Sequence, residues 1–387
     1  MRIGLFTDNY FPKINGVATS VLMLREKLEA DGHVVYIFTT SDPDAPETEH
    51  NVIRIPSVPI KKQRLGLIVT PALLNRVKKL SLDIIHTHTE FTLGTLGKHL
   101  AKRMDIPHVH TMHTIYEYYS GYIIKVELLD PIFRAAIRKL TAMYCNGADT
   151  VIVPSGKTEV LIRDYGVRKD IRVIPTGIPL DRFTGQDYDA NKTEMIRSDL
   201  GIAETNKVLI NIGRVSHEKN LDELLISLKE YLSLNPHVIF LIVGDGPARK
   251  DLEKLAEDLG IQAQIVFAGA RPWEEIHHYY GLADIFVGAS VSETQGLTYI
   301  EAMASGCPVV AREDRCLDDI LVNSENGYSF NDSHKLTAVI DQLLSDEEML
   351  NRLAENAAQS AKKFSAETYA GSVKTLYEEL VAARASA

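Results

Sequence analysis

The stretch DIFVGASVSETQGLTYIEAMASGCPVVAR, residues 284–312, predicts the fold class of this 387-residue chain. An apolar run at 284–289 is followed by a short polar loop, a helix-forming run at 296–305 and a second apolar run. Gly306 stands where a helix C-cap is expected. This order indicates two parallel β-strands joined by a crossover helix, because parallel neighbours need a long connection.

The same alternation recurs along the chain and predicts an α/β protein with two doubly wound sheets in series. Short runs rich in Val and Ile, such as residues 2–6 and 237–243, alternate with amphipathic stretches of helical period. Pro175, Gly177 and Pro179 then interrupt the pattern, and a polar, turn-rich stretch follows them. We therefore expect the domains to be 1–185 and 186–364. An amphipathic helix in 365–387 would pack on either domain.

The composition excludes several classes of protein. Hydrophobic residues make up 45% and charged residues 24% of the chain, which is typical of a globular protein. We expect neither a secretory signal nor a transmembrane helix, because the first twenty residues have the pattern of a buried strand and a polar loop and no run of eighteen apolar residues follows. Three scattered cysteines exclude a disulfide framework and a paired-cysteine metal site, so we expect a cytoplasmic protein.

The two halves of the chain differ in charge. The formal net charge of −10 argues against nucleic acid as a partner, because polyanions require a basic surface. Residues 1–185 contain 24 Lys and Arg against 19 Asp and Glu, whereas the remainder contains 18 against 33. Either the first half faces an anionic surface or ligand, or the acidic charge simply keeps the second half soluble.

The quoted stretch also has the features of an anion site. Gly296 permits close approach of a ligand, and the backbone N–H groups of Leu297 and Thr298 would point at a phosphate. Glu293 and Glu301 flank this helix start and can accept hydrogen bonds from sugar hydroxyl groups. The alternative is that Glu293 only complements the helix dipole and that Glu301 lies on a solvated face.

A second motif, GRVSHEKN at 213–220, places two cations after another strand. Arg214 and Lys219 would lie at the carboxyl edge of the sheet, where ligands of open α/β folds bind. Together they can neutralise a diphosphate without a metal ion. The alternative is an exposed turn in which Lys219 pairs with Glu218. A glycine loop at 244–247 also follows a strand, but ordinary turn geometry explains it equally well.

In the first half, candidate ligand-binding residues again follow strands. Gly16 lies in a turn where the backbone can approach a ligand, and Asp8 is expected near the same sheet edge. Five histidines, at positions 86, 88, 108, 110 and 113, resemble a metal site, but their spacing lacks a zinc signature. Because they alternate on strands, we expect some to be core residues and favour His113, at a strand end, as functional.

Together these motifs resemble the family 4 glycosyltransferases. The resemblance rests on GRVSHEKN, VGDGP, the two glutamates in SETQGLTYIEAMASG, ING near the N-terminus and HTMHTIYEYY, and it covers nearly the whole chain. It implies the GT-B fold, in which two Rossmann-like domains face a cleft and the C-terminal helix crosses back to the N-terminal domain. It also implies a nucleotide-sugar donor held by the second domain, retention of anomeric configuration, and neither cofactor nor metal.

The resemblance further implies roles for individual residues. Arg214 and Lys219 would bind the donor diphosphate, Glu301 the ribose and Glu293 the transferred hexose. The other donor-site residues would be Gly16 beneath the diphosphate, His113 near the reacting centre, Arg271 at the nucleobase, and Gly296, Leu297 and Thr298 at the phosphates. Arg214, Lys219, Glu293 and His113 would form the catalytic set. We expect a same-face mechanism in which the leaving phosphate helps to deprotonate the acceptor, because no carboxylate is clearly placed as a nucleophile.

Two segments, FTDNYFPKINGVATSV and TMHTIYEYYSGYI, are similar to the bacterial diacylglycerol glucosyltransferases within this family. This similarity implies UDP-glucose as donor, the 3-hydroxyl of diacylglycerol as acceptor, and peripheral attachment to the inner face of the cell membrane. Cations that accompany apolar residues in basic amphipathic segments are the candidates to face an anionic membrane: Lys61, Lys62, Arg64, Arg76, Lys79, Arg134 and Arg138. The alternative is that each such helix packs on a sheet.

Other functions are compatible with the same donor motifs. The acceptor could be a soluble sugar, or another lipid such as phosphatidylinositol. A non-catalytic module that binds a nucleotide-sugar is a third hypothesis, but the presence of Arg214, Lys219, Glu293 and Glu301 disfavours it.

Overall fold

The computed structural model describes residues 1–13, 15–46, 48–60, 63–66, 71–119, 130–183 and 189–386. The chain forms two compact units. Unit 1 contains Met1–Gly177 and Ala366–Ala387, and unit 2 contains Ile178–Ser365. The boundary predicted near residue 185 falls among residues 184–188, which lie outside the described residues.

Unit 1 is built on a seven-stranded parallel sheet and a separate antiparallel hairpin. Its strands are β1 (Arg2–Phe6), β2 (Val34–Thr40), β3 (Val52–Ile55), β4 (Ser57–Ile60), β5 (Gln63–Gly66), β6 (Ile84–Thr87), β7 (His108–Thr111), β8 (Thr150–Val153) and β9 (Asp170–Val173). The strand order in the sheet is β3-β2-β1-β6-β7-β8-β9, and β4 pairs with β5 in the hairpin.

Helices connect these strands, and the C-terminal helix (Ala366–Ala385) also belongs to this unit. The others are α1 (Gly16–Ala30), α2 (Pro71–Leu80), α3 (Thr92–Met104), α4 (Asp130–Cys145) and α5 (Gly156–Asp164). Tyr369, Val373 and Tyr377 of the C-terminal helix share one buried cluster with Val21 and Leu24 of α1. The C-terminal helix therefore belongs to unit 1, as the family resemblance implied.

Unit 2 contains a six-stranded parallel sheet in the order β12-β11-β10-β13-β14-β15. Its strands are β10 (Lys207–Ile212), β11 (Val238–Val243), β12 (Ile265–Gly269), β13 (Ile285–Gly288), β14 (Val309–Arg312) and β15 (Gly327–Phe330). Its helices are α6 (Leu180–Phe183), α7 (Ala190–Asp199), α8 (Leu221–Leu234), α9 (Arg249–Leu259), α10 (Ile276–Tyr280), α11 (Leu297–Ala304), α12 (Ser333–Ser345) and α13 (Glu347–Ala361).

The central strands of unit 2 are apolar on both faces because helices cover both sides of the sheet. All six residues of β11 are buried. Along β10, Val208 and Ile210 belong to one buried cluster, whereas Leu209 between them belongs to another. The strand, helix and strand predicted at 284–312 are confirmed as β13, α11 and β14.

Each parallel sheet reverses its strand order at one place, between β1 and β6 in unit 1 and between β10 and β13 in unit 2. At such a switch point the connections leave towards opposite faces, so a crevice opens beyond the carboxyl ends of the two strands. Ligands of doubly wound sheets bind in this crevice. Functional residues are therefore expected in the loops that follow these four strands.

Candidate functional site

The loops after β10 and β13 meet at the switch point of unit 2. Lys219 forms an ion pair with Glu293, which lies 74 residues further along the chain. Next to this pair, Asn220 Nδ2 donates a hydrogen bond to Ala289 O at 3.2 Å. The structure therefore brings the motif at 213–220 and the stretch at 284–312 into one site. Lys219 pairs with Glu293 of the other loop.

The pair is largely shielded from water, since the Lys219 and Glu293 side chains are 24% and 17% exposed. Each charge compensates the other in a place where a single charge would be poorly solvated. A ligand phosphate can replace Glu293 as the partner of the Lys219 ammonium group, and sugar hydroxyl groups can replace Lys219 as donors to the Glu293 carboxylate. The arrangement is suited to a ligand that carries both groups.

Arg214 follows β10 on a segment that the glycine loop after β11 holds in place. A Cβ at Gly244 would lie 1.8 Å from Gly213 O, and a Cβ at Gly246 would lie 2.2 Å from Val215 O. Only glycine permits two backbones to lie this close. This loop, for which the sequence left a ligand loop and an ordinary turn equally possible, therefore shapes the Arg214 segment. The sequence feature that could have indicated this contact is that a glycine directly follows each of the two adjacent strands, Gly213 after β10 and Gly244 after β11.

The start of α11 requires glycine for two reasons. Gly296 is the N-cap residue and has a φ of 80°, in the left-handed region. A Cβ there would also lie 2.5 Å from Tyr299 Cδ2. Because Gly296 supplies no side-chain acceptor to the first turn, a ligand anion can supply one to the amide groups of Leu297 and Thr298.

Glu301 lies about one turn into α11 and is half-buried. Its carboxylate accepts a hydrogen bond from Tyr280 OH at 2.9 Å. Burial raises the pKa of Glu301 to about 7, although hydrogen bonds from Tyr280 and Trp273 and the charge of Arg182 act in the opposite direction. The group therefore titrates near neutrality. A partner that donates hydrogen bonds, such as a ribose diol, favours its charged form.

The surroundings of Glu301 were missed in the sequence because no motif marks them. The guanidinium carbon of Arg182 lies 3.7 Å from the centroid of the Trp273 ring, in a cation–π contact. Tyr280 is 1% exposed, and its hydroxyl also donates to Thr298 O at 3.2 Å. These residues are distant along the chain, so only the fold brings them to the carboxylate.

Arg271 follows β12, two strands away from β10 in the same sheet. Its Nε donates to Ala268 O at 3.0 Å, and its guanidinium carbon lies 5.8 Å from the centroid of the Tyr279 ring. The structure therefore places Arg271 at the same sheet edge as Lys219, with local partners of its own.

In unit 1, two residues singled out from the sequence lie at helix starts. Gly16 is the first residue of α1, which the side chain of Asn15 caps. Asp8 accepts hydrogen bonds from Thr89 Oγ1 at 2.6 Å and from Leu93 N at 3.1 Å, so it caps the start of α3. The position of Asp8 near the strand edge therefore has a structural explanation.

The five histidines lie on or just after β6 and β7. His86 and His110 are fully buried, and His88 and His108 are at most 3% exposed, so the prediction that some are core residues is confirmed. Within the described ranges, no group of three or more His, Cys, Asp or Glu side chains is arranged to hold a metal ion. His113 is half-buried, and its Nε2 lies 3.0 Å from His88 Nδ1.

The predicted membrane-facing cations fall into different environments. Arg76 and Lys79 are exposed on α2, whereas Val77 is 1% exposed and packs with other apolar residues of α2 into the core. The alternative that this helix packs on the sheet is therefore correct for its apolar face. Lys61 and Lys62 lie outside the described residues.

Three other predicted cations have partners within unit 1. Arg64 Nε donates to Ser57 Oγ at 2.9 Å. Arg138 Nε donates to Glu117 at 3.0 Å, and a terminal nitrogen of Arg134 lies 3.8 Å from the same carboxylate. The charges of these two arginines are thus partly compensated by a buried carboxylate.

Helix α4 exposes an apolar stripe, formed by Ile132, Leu140 and Met143. These side chains are 69%, 63% and 60% exposed, and Lys139 beside them is also exposed. Their helical spacing places them on one face, and an exposed apolar face is typical of an interaction surface. Among the helices in the described part of the chain, none is long and apolar enough to cross a bilayer.

Comparison with known proteins identifies the family. The model of the glycosyl transferases group 1 matches residues 192–360, and that of glycosyltransferase family 4 matches residues 14–182. An alpha-monoglucosyldiacylglycerol synthase from Streptococcus pneumoniae is 39% identical over 98% of this chain and 86% of its own length. A synthase of the same name from Acholeplasma laidlawii is 36% identical over 98% of both chains.

Solved structures share the fold. Sucrose-phosphate synthase from Thermosynechococcus elongatus has a TM-score of 0.77 at 25% identity and covers 99% of both chains. HepE of Anabaena, solved in complex with UDP, has a TM-score of 0.78 at 21% identity over 98% of this chain and 100% of its own. The chain therefore belongs to the family 4 glycosyltransferases and is a glycosyltransferase enzyme with the GT-B fold.

Proposed function

We propose that this enzyme transfers glucose from UDP-glucose to the 3-hydroxyl of 1,2-diacylglycerol, with retention of configuration, at the inner face of the cell membrane. The observation that carries the proposal is the Lys219–Glu293 pair at the switch point of unit 2. This pair lies in a chain whose relatives at 39% and 36% identity are alpha-monoglucosyldiacylglycerol synthases. The pair supports the donor chemistry, and the relatives support the sugar and the acceptor.

The donor proposal follows from the charges at the site. When a nucleoside diphosphate leaves, negative charge develops on its β-phosphate. Arg214 and Lys219 stabilise this charge, an effect of roughly 3–4 kcal/mol for one well-placed group. The amide groups of Leu297 and Thr298 add the positive end of the α11 dipole. Glu293 then accepts hydrogen bonds from the hydroxyl groups of the hexose.

The other donor-site residues complete the nucleotide site. Glu301 accepts hydrogen bonds from the ribose hydroxyl groups, and Arg271 borders the nucleobase. Gly296 permits close approach of the phosphates at the start of α11. For Gly16 and His113 we propose the roles that the family resemblance implies, at the diphosphate and near the transferred sugar.

The transfer step balances without a protein nucleophile. The bond between C1 of glucose and the β-phosphate oxygen breaks, and a bond between C1 and the acceptor oxygen forms on the same face of the ring. The acceptor proton passes to the departing diphosphate, which leaves as UDP. Glu293 is held by Lys219 in an ion pair, which disfavours covalent attack by its carboxylate.

The α4 stripe supports a lipid acceptor. A helix with an exposed apolar face and adjacent cations lies in the membrane interface, with its apolar side chains among the acyl chains. Lys139 is placed to meet anionic headgroups, and Arg76 and Lys79 add exposed positive charge on the same unit. We assign the first membrane contact to this stripe because Arg134 and Arg138 are engaged with Glu117.

A product assay tests the proposal directly. The full chain is given UDP-glucose and diacylglycerol in mixed vesicles, with and without anionic lipid, and the product is analysed by mass and by anomeric NMR. We expect an α-linked monoglucosyl lipid that forms faster on anionic vesicles. Glu293→Gln is the matched control, which should bind vesicles like the wild type while its turnover falls roughly 100-fold or more.

Other outcomes would contradict separate parts of the proposal. A β-linked product would exclude retention. Transfer to phosphatidylinositol or to a soluble sugar, with no product from diacylglycerol, would overturn the acceptor but not the donor site. Transfer from another nucleotide-sugar, with UDP-glucose inert, would overturn the donor.

A further inference from the structure

Two histidines, His88 and His113, follow neighbouring strands at the switch point of unit 1. His88 follows β6 and His113 follows β7, and these two strands are parallel neighbours. Strand β6 also borders β1, where the strand order reverses. Both residues therefore lie at the sheet edge where doubly wound folds bind ligands.

One hydrogen bond joins the two rings. His88 Nδ1 lies 3.0 Å from His113 Nε2, and the ring planes differ by 24°. One nitrogen must donate and the other accept, because two N–H groups or two lone pairs would repel at this distance. His88 is 2% exposed, and its Nε2 has no hydrogen-bond partner among the described residues.

The unpartnered Nε2 of His88 sets the direction of this hydrogen bond. If His113 donated, neutral His88 would carry its own proton on Nε2, as a buried N–H group without an acceptor. A buried lone pair is tolerated more readily than a buried unpaired N–H group. His88 therefore carries its proton on Nδ1 and donates it to His113 Nε2. A neutral His113 must then carry its proton on Nδ1.

A third histidine supports His88 from beneath. His86 Nδ1 lies 2.5 Å from Tyr377 OH, and His86 Nε2 lies 2.7 Å from Thr111 Oγ1, so both of its nitrogens are engaged. The ring centroids of His86 and His88 are 4.0 Å apart. Tyr377 of the C-terminal helix and Thr111 of β7 thus fix the ring against which His88 packs.

The surroundings keep both rings neutral. Burial, with a smaller effect from His110, lowers the pKa of His113 to about 3. Burial and the neighbouring imidazoles also lower the pKa of His88. Among the described residues, the charges that act on the pair come from His86 on β6 and His110 on β7. Tyr377 of the C-terminal helix is hydrogen-bonded to His86, and Glu90 Oε1 lies 3.4 Å from His110 Nε2.

We propose that His88 is a positioning residue that holds His113 as a neutral hydrogen-bond donor through its Nδ1–H group. The proposal rests on the proposed role of His113 in the transfer reaction. A neutral Nδ1–H group donates to a hydroxyl or phosphate oxygen of a substrate without adding charge. His113 then orients its ligand, and the acceptor proton goes to the departing diphosphate rather than to an imidazole.

Substitutions at His88 separate this role from a purely structural one. His88→Asn places an amide N–H at the position of Nδ1. Aspartate has the same shape as asparagine, but His88→Asp places a carboxylate oxygen there. We expect His88→Asp to lower kcat/KM by roughly 10–100-fold near pH 8, and His88→Asn to lower it much less. Activity of His88→Asp should recover as the pH falls, because the new carboxylate raises the pKa of His113 and protonation of that ring then returns a proton to Nδ1. Equal losses in both variants at every pH would overturn the proposal.

Substitutions at His113 test the same point without a change at His88. His113→Asn retains an N–H donor at the Nδ1 position, and His113→Gln retains one at the Nε2 position. We expect His113→Asn to keep more turnover than His113→Gln, and the reverse order would overturn the proposal. Melting temperature and UDP binding are the controls for folding in all four variants.

The tautomer can also be observed without any activity. In spectra of the full chain with 15N-labelled histidine, the His113 signals are assigned by their loss in His113→Asn. They should show a neutral ring protonated on Nδ1 between about pH 6 and 8. A ring protonated on Nε2, or a charged ring, would overturn the proposal even in an active enzyme. The Nδ1–H form without transfer to diacylglycerol would instead count only against the proposed function.

Discussion

The substitution Glu301→Gln should remove a pH dependence from the stability of unit 2. The pKa of the Glu301 carboxyl rises from an ordinary 4.5 to about 7. Between these values the folded protein keeps a proton that the unfolded chain has lost. The contribution of this group to stability is therefore present at low pH and is lost as the pH rises through about 7.

The expected effect is large enough to measure. At about 1.4 kcal/mol per pH unit, the rise of this pKa from 4.5 to about 7 corresponds to at most about 3.5 kcal/mol of unfolding free energy. In a domain of this size, this is a difference in melting temperature of roughly 7–14 °C between wild type and variant. The two proteins should be similar near pH 5, and Glu301→Gln should be the more stable near pH 8. An exposed carboxylate of the same unit, replaced in Glu257→Gln, is the control.

Calorimetry over this pH range is the assay, and added UDP identifies the transition of unit 2 because a ligand raises the melting temperature of the unit that binds it. Ribose hydroxyl groups donate to the charged carboxylate. UDP affinity should therefore weaken below about pH 7 by up to roughly tenfold per unit in the wild type, and less in Glu301→Gln. If the melting temperatures of wild type and variant change in parallel with pH, Glu301 does not titrate near neutrality and the argument is wrong.

Three other substitutions test the site and the surface. Lys219→Met should lower turnover roughly 100-fold or more, measured at saturating UDP-glucose, because it removes a cation from the departing diphosphate. Gly244→Ala should destabilise unit 2 and weaken UDP binding, since its Cβ would lie 1.8 Å from a backbone oxygen. The control is Gly371→Ala, where a Cβ meets nothing within 4 Å, and it should leave the melting temperature unchanged or raise it. Leu140→Glu should reduce sedimentation with anionic vesicles, whereas Ile226→Glu, at a 57% exposed position of unit 2, should not; equal losses would argue against the α4 stripe.

The elements around the donor site could be predicted because strands buried on both faces leave continuous apolar runs. The run at 284–289 corresponds to β13 (Ile285–Gly288), and the helix expected at 296–305 corresponds to α11 (Leu297–Ala304). Gly296, at the start of this helix, could also be recognised in the sequence. The structure shows why glycine is needed there, since both its φ of 80° and the nearby Tyr299 ring exclude a side chain. Local sequence carries this information because neighbours along the chain form the element.

The membrane-facing residues could not be ranked in the same way. Helices α2 and α4 share a basic amphipathic pattern, yet Val77 of α2 is buried whereas Leu140 and Met143 of α4 are exposed. The pattern records which face of a helix is apolar but not what covers that face. The pairing of Arg138 with Glu117 could not be predicted either, because the two residues lie 21 positions apart on different elements.

The order of strands and helices, the family and the residue types of the donor site were all contained in the sequence, because periodicity and motif chemistry depend on nearby residues. The contact between Lys219 and Glu293, the glycine loop that shapes the Arg214 segment, and the raised pKa of Glu301 were not. Each depends on groups tens of residues apart that the sheet brings within a few ångströms, and on how deeply the fold then buries them.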